Sequence, residues 1–90
     1  MDIQFVGHNI EVTPGIKSHA ESKLKRISSH GAKINSIHMS FHIENKDQVA
    51  KATVLTPGHE FFAQHKSNDL YESIDRIVEK LLTQLDKYSW

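Results

Sequence analysis

No cysteine occurs anywhere in the 90 residues, which removes disulfides and thiolate metal sites and is compatible with a reducing compartment. Nor is there a surplus of charge of either sign. Eleven Lys plus Arg balance eleven Asp plus Glu, which argues against a protein that coats nucleic acid simply by being basic. Any grip on phosphate has to come from local patches. No apolar run approaches the ~20 residues a membrane-crossing helix needs. The start, Met1-Asp2-Ile3-Gln4-Phe5, has neither the basic stretch nor the long apolar core of an export signal. A soluble, cytoplasmic chain is expected. Repeats, low-complexity tracts and linkers are also missing, so residues 1–90 are expected to form one small domain.

What is present is clearest at the end of the chain. Leu70, Ile74, Ile77, Val78, Leu81, Leu85 and Tyr88 follow the i, i+3, i+4 spacing of a helix with one buried face. Asp69 is the expected N-cap, with Glu72 three residues on to close a capping box. Tyr71 and Leu81 are both expected to matter to the core. At ~100° per residue, Arg76, Lys80, Thr83 and Lys87 line one flank of this helix, while Asp75, Glu79 and Asp86 gather on a separate arc. Such segregation suits either a solvated face or a cationic edge aimed at phosphates, and the helix alone does not choose.

Earlier in the chain, Ile3 and Phe5 alternate with Asp2 and Gln4 as in a half-buried strand over 2–7. Thr13-Pro14 reads as an N-cap followed by proline at the first helical position, where its missing N–H costs nothing. The helix that follows carries Ile16, Ala20, Leu24 and Ile27 on its apolar face and should stop between Ser28 and Gly31. His19, Lys23 and Arg26 fall along one flank of that face, and Lys25 points to solvent. This is a second cationic edge, although Lys23 could equally cover apolar surface with its stem.

From Ile34 to Glu44 the period changes to two, with Ile37, Met39, Phe41 and Ile43 on one side and Ser36, His38, Ser40 and His42 on the other. Asn45-Lys46-Asp47 supplies a turn, Gln48 to Thr56 a third strand with Ala50, Ala52 and Val54 inward, and Thr56-Pro57-Gly58-His59 a second turn. Glu60 to Lys66 completes an antiparallel meander with Phe61 and Ala63 inward. The fold class is therefore α+β, one β-α-β-β-β-α domain. A mixed four-stranded sheet has two helices on one face and leaves the other open.

The motifs together resemble a known family, the short ribosome hibernation-promoting factors, also called ribosome-associated inhibitor or sigma-54 modulation proteins. The resemblance rests on Gly7 followed by Asn9-Ile10-Glu11-Val12-Thr13-Pro14, on Lys23-Leu24 with Arg26-Ile27, and on Ala52-Thr53 with Thr56-Pro57-Gly58. Its sharpest part is Asp69-Leu70-Tyr71 with Ile74-Asp75, continuing to Lys80-Leu81 and Gln84-Leu85. It implies a fold shaped like double-stranded RNA-binding domains and a protein without catalytic activity or cofactor. Such proteins bind the small ribosomal subunit and its rRNA in the mRNA and tRNA channel, inhibiting translation in starvation or stationary phase.

By position, the family's RNA-contacting basic residues match Lys23, Arg26, Lys80 and Lys87, and Arg76 joins them on helical angle alone. Thr83 departs from the pattern, standing where an arginine is common. The sequence ends at Ser89-Trp90, where many members continue with basic residues. The resemblance is to the short type, for which no dimerisation domain is expected to follow. Short members work with a separate ribosome modulation factor to pair ribosomes, which makes that factor an expected partner.

Two other function classes are weighed against this one. A protein-interaction module would use the open sheet face, with Leu55 and Phe62, or the Tyr88-Ser89-Trp90 end. A small enzyme would have to use Ser40, His42 and Asp47, which lack a nucleophile elbow or phosphate-cradling loop. The seven histidines invite a metal site, but His38 and His42 lie ~13 Å apart along a strand, too far to share one ion. No metal and no small-molecule substrate are expected.

Overall fold

A computed structural model of the chain describes residues 2–30 and 33–88. In order they form β1 (Asp2–His8), α1 (Pro14–Ser28), β2 (Ser36–Glu44), β3 (Asp47–Thr56), β4 (His59–Ser67) and α2 (Leu70–Lys87). The sheet order is β1-β2-β3-β4. β1 runs parallel to β2, which the intervening helix permits, and the other pairs are antiparallel hairpins.

Register aligns one apolar row after another on the covered face: Ile3, Ile37, Val54 and Phe61, then Phe5, Met39, Ala52 and Ala63. Both helices press their apolar stripes onto these rows. Ala20, Leu24, Ile27, Ile74, Ile77, Val78, Leu81 and Leu85 are all sealed from solvent. Burying a side chain of this size contributes about 2 kcal/mol, most of which chain entropy cancels. Ile43, expected inward, is more than half exposed, because its row is the last one and its neighbours there are Gln48 and Ser67.

The turns use residues that tolerate left-handed backbone. Asn45 has φ 57° in the two-residue β2–β3 turn, and Gly58 has φ 79° after Pro57. Gly7 is needed for a different reason. A Cβ there would lie 2.1 Å from the carbonyl oxygen of Ile10, where the chain folds back after β1.

Helix α1 starts as expected: the Thr13 hydroxyl accepts the Ile16 N–H at 3.2 Å, with Pro14 first in the helix. The Gly31 stop signal lies outside the described residues, as do Ser89 and Trp90. Asp69 caps α2 by accepting the Tyr71 N–H at 3.0 Å. Glu72 does not close a capping box, because Ser67 Oγ already accepts the Asp69 N–H at 3.2 Å. Ser73 then ties the first turn to the sheet. Its buried hydroxyl donates to the Gln48 carbonyl at 2.9 Å and meets Ser67 Oγ at 2.8 Å.

Tyr71 is not a core residue. It is 41 % exposed and packs edge-on against His19, with ring centroids 5.0 Å apart.

Candidate nucleic-acid interface

The two helices run in the same direction, and their mutual packing decides which charges meet. Along the seam, Asp75 Oδ1 accepts the Nε2–H of His19 at 2.7 Å and lies 3.9 Å from Lys23 Nζ. An ionised carboxylate can only accept, so the shared proton sits on the histidine nitrogen. Eleven residues further along each segment, Asp86 of α2 meets His30 Nε2, in the turn just past the end of α1, at 2.6 Å. The α1 flank of His19, Lys23 and Arg26 thus faces the acidic arc of α2. Arg26 is exposed and has no ion pair among the described residues.

The opposite flank of α2 borders the free edge of β4. Lys80 Nζ donates to the Gln64 carbonyl at 2.7 Å, and Gln84 Nε2 donates to the Phe62 carbonyl at 2.7 Å. These two bonds satisfy edge groups that would otherwise invite another strand. They also fix where the Lys80 ammonium sits while leaving its other two protons free. Lys87, in the last helical turn, is exposed and has no ion pair among the described residues. Arg76 differs: its Nη1 donates to both carboxylate oxygens of Glu79, at 2.5 and 2.8 Å. The Thr83 hydroxyl donates back to the Glu79 carbonyl at 3.0 Å.

Of the five candidate cations, Arg76, Lys80 and Lys87 share the outer flank of α2, whereas Lys23 and Arg26 lie on the α1 side of the seam. Asp75 and Asp86 stand between the two groups. The segregation by sign read from helical angle therefore fails at Arg76, because an i, i+3 reach brings Glu79 to it. Sequence reasoning also missed the His19–Asp75 and His30–Asp86 contacts. Their signal was present as matching eleven-residue spacings, but it acquires meaning only once the helices are known to lie parallel.

Other chemistries find little footing. Among the described residues no group of three or more His, Asp or Glu side chains is placed to hold a metal ion. No helix there is long and apolar enough to cross a membrane. Surface concavities include one between the β4 edge and α2 beside Phe62, Gln64 and Lys80.

Comparison with known proteins identifies the family and matches the fold. Residues 3–89 match the family model described as sigma 54 modulation protein / S30EA ribosomal protein. A ribosome hibernation promoting factor of Pseudomonas putida is 33 % identical over 88 residues, covering 98 % of this chain and 86 % of the relative. One from Klebsiella oxytoca is 30 % identical, covering 98 % and 93 %. Among solved structures, a ribosomal subunit interface protein from Coxiella burnetii superposes with a TM-score of 0.89 at 34 % identity, over 98 % of this chain and 97 % of that one. The N-terminal domain of Thermus thermophilus Protein Y gives 0.89 at 28 % identity, over 99 % and 100 %.

Proposed function

This chain belongs to the sigma 54 modulation protein / S30EA ribosomal protein family, and we propose that it is a ribosome hibernation factor acting on the small ribosomal subunit in the cytoplasm. It inhibits translation by occupying the mRNA and tRNA channel, holds ribosomes inactive in starvation or stationary phase, and carries out no catalysis. Relatives named ribosome hibernation promoting factor support the hibernation role.

The observation that carries the RNA-binding part is that Arg26, Lys80 and Lys87 present cationic groups at helix margins with no acidic partner among the described residues. On a chain with no net charge, such local excess is what phosphate would meet. Lysine and arginine that neutralise phosphates release counterions, so affinity falls with salt and needs little base readout. Recognition of folded RNA through its backbone and 2′-hydroxyls suits helix flanks better than a deep pocket.

Lys23 and Arg76 belong to the same interface with smaller shares, since Asp75 and Glu79 offset part of their charge. Lys23 lies at the seam and Lys80 at the β4 edge, so an RNA surface that touches both crosses α2 and the acids of the seam. Pairing of inactive ribosomes, with a separate modulation factor as partner, is the further step this role allows.

A sucrose gradient of ribosomes mixed with the purified protein tests the assignment. Protein migrating with small subunits, together with reduced translation in a cell-free system, is the expected result. Protein remaining at the top of the gradient would contradict it.

A further inference from the structure

The face of the sheet turned away from the helices meets the interface described above only along β4, where Lys80 lines surface concavities with Phe62, Gln64 and Lys66. By register it carries Gln4, His38, Thr53 and Phe62 in one row and Val6, Ser40, Lys51 and Gln64 in the next. Phe62 is 50 % exposed in the middle of β4, and Leu55, diagonal to it on β3, is 41 % exposed. His38 is exposed in the same row as Phe62, two strand spacings or ~10 Å away.

Charge on this face is unevenly spread. Lys51 stands between Ser40 and Gln64, with Val49 and Thr53 on either side along β3, and has no ion pair among the described residues. Lys66 lies one row further on, opposite Val49. The acids are confined to the two ends, Asp2 and Glu60 at one and Glu44 and Asp47 at the other, where Glu44 also engages His42 at 3.4 Å. The middle of the face therefore holds one cation, Lys51, one row from an exposed aromatic ring, with Lys66 nearer the acidic end and in the same concavity as Glu44.

We propose that this open face is a second RNA surface. It takes a short unpaired segment, with bases laid on Phe62 and His38 and the backbone held by Lys51 and Lys66. A flat aromatic ring on a sheet accepts any base by stacking, and neighbouring cations supply the phosphate contacts, which is how sheet platforms bind about two or three unpaired nucleotides. A protein partner fits less well. Two half-exposed apolar side chains fall well short of the ~800 Å² per partner typical of a stable protein interface. The proposed surface adjoins the helix margin at Lys80, and variants at Phe62 and Lys51 separate the two surfaces.

The test is fluorescence anisotropy at low salt with a labelled single-stranded oligoadenylate RNA as probe, and a blunt RNA duplex as comparison. The single strand should bind more tightly than the duplex. Phe62→Ala should weaken its binding about tenfold, Phe62→Trp should retain it, and Lys51→Gln should weaken it and flatten its salt dependence. Lys87→Glu should leave it nearly unchanged, and Lys80→Glu should affect it less than Phe62→Ala. Because Phe62 is an exposed side chain, each variant should keep the wild-type thermal melt. Absence of single-strand binding in the wild type would overturn the proposal, as would a Phe62→Ala variant that binds normally or binding that is lost only with Lys80 and Lys87. Sedimentation showing self-association that depends on Phe62, without an effect of that residue on RNA, would identify the face as a protein contact instead.

Discussion

His19 and Asp75 lie 56 residues apart in sequence and meet at 2.7 Å across the seam between the two helices. His30 and Asp86 repeat the contact at 2.6 Å with the same separation. Two matched contacts, one within α1 and one from the turn just past its end, fix how far one helix can slide past the other. The spacing between the cations of α1 and those of α2 is therefore a property of the fold, set before any RNA is met.

The unequal pairing of the cations has a measurable consequence. Arg76 is held by Glu79, whereas Lys80 and Lys87 face no acid among the described residues. Arg76→Ala should weaken small-subunit binding by no more than about threefold, because the charge it removes is already offset. Glu79→Gln should strengthen binding by releasing Arg76 toward phosphate. Both are read from co-sedimentation titrations, and a loss on Glu79→Gln would show that Arg76 needs its partner to point correctly.

Core and margin are separable by stability. Leu81 is completely buried, so Leu81→Ala should cost about 2 to 5 kcal/mol. In a domain of this size that lowers the melting temperature by about 10 °C or more. Tyr71→Ala should cost only about 1 kcal/mol, the order of its aromatic contact with His19, because the ring is half exposed. Thermal melts followed by circular dichroism compare the two, and equal losses would mean that Tyr71 supports the core after all.

Ser73 offers a test of the link between α2 and the sheet. Ser73→Ala leaves the Gln48 carbonyl and Ser67 Oγ each short of a buried partner, which should cost about 1 to 2 kcal/mol. Ser22→Ala, on the exposed side of α1, should change stability by less than about 0.5 kcal/mol. Chemical denaturation of both variants measures the difference, and a neutral Ser73→Ala would remove this anchor from the account.

Much of the architecture could be read before the structure. Period-two alternation from Ile37 to Phe41 and helical spacing from Leu70 to Leu85 depend only on which side of an element is wet, and both survive in the fold. Thr13-Pro14 and Pro57-Gly58 mark local backbone geometry and were equally legible. What could not be read involves groups brought together by packing. The edge carbonyls claimed by Lys80 and Gln84 and the seam that sets Asp75 against Lys23 join residues on different elements, whereas the bond from Asp69 to Ser67 that displaces the capping box is local and was overlooked. Helical angle placed the candidate cations correctly around each axis, but it carried no information on which acids the neighbouring helix would supply.

The central claim, that cations on the helix margins grip ribosomal RNA, is tested most directly by co-sedimentation of the Lys80→Glu, Lys87→Glu double variant with purified small subunits at about 50 and 200 mM salt. The account predicts a melting temperature close to that of the wild type, binding reduced about tenfold or more at the lower salt, and a shallower fall as salt rises. A double variant that pellets with small subunits as fully as the wild type at both salt concentrations would contradict it.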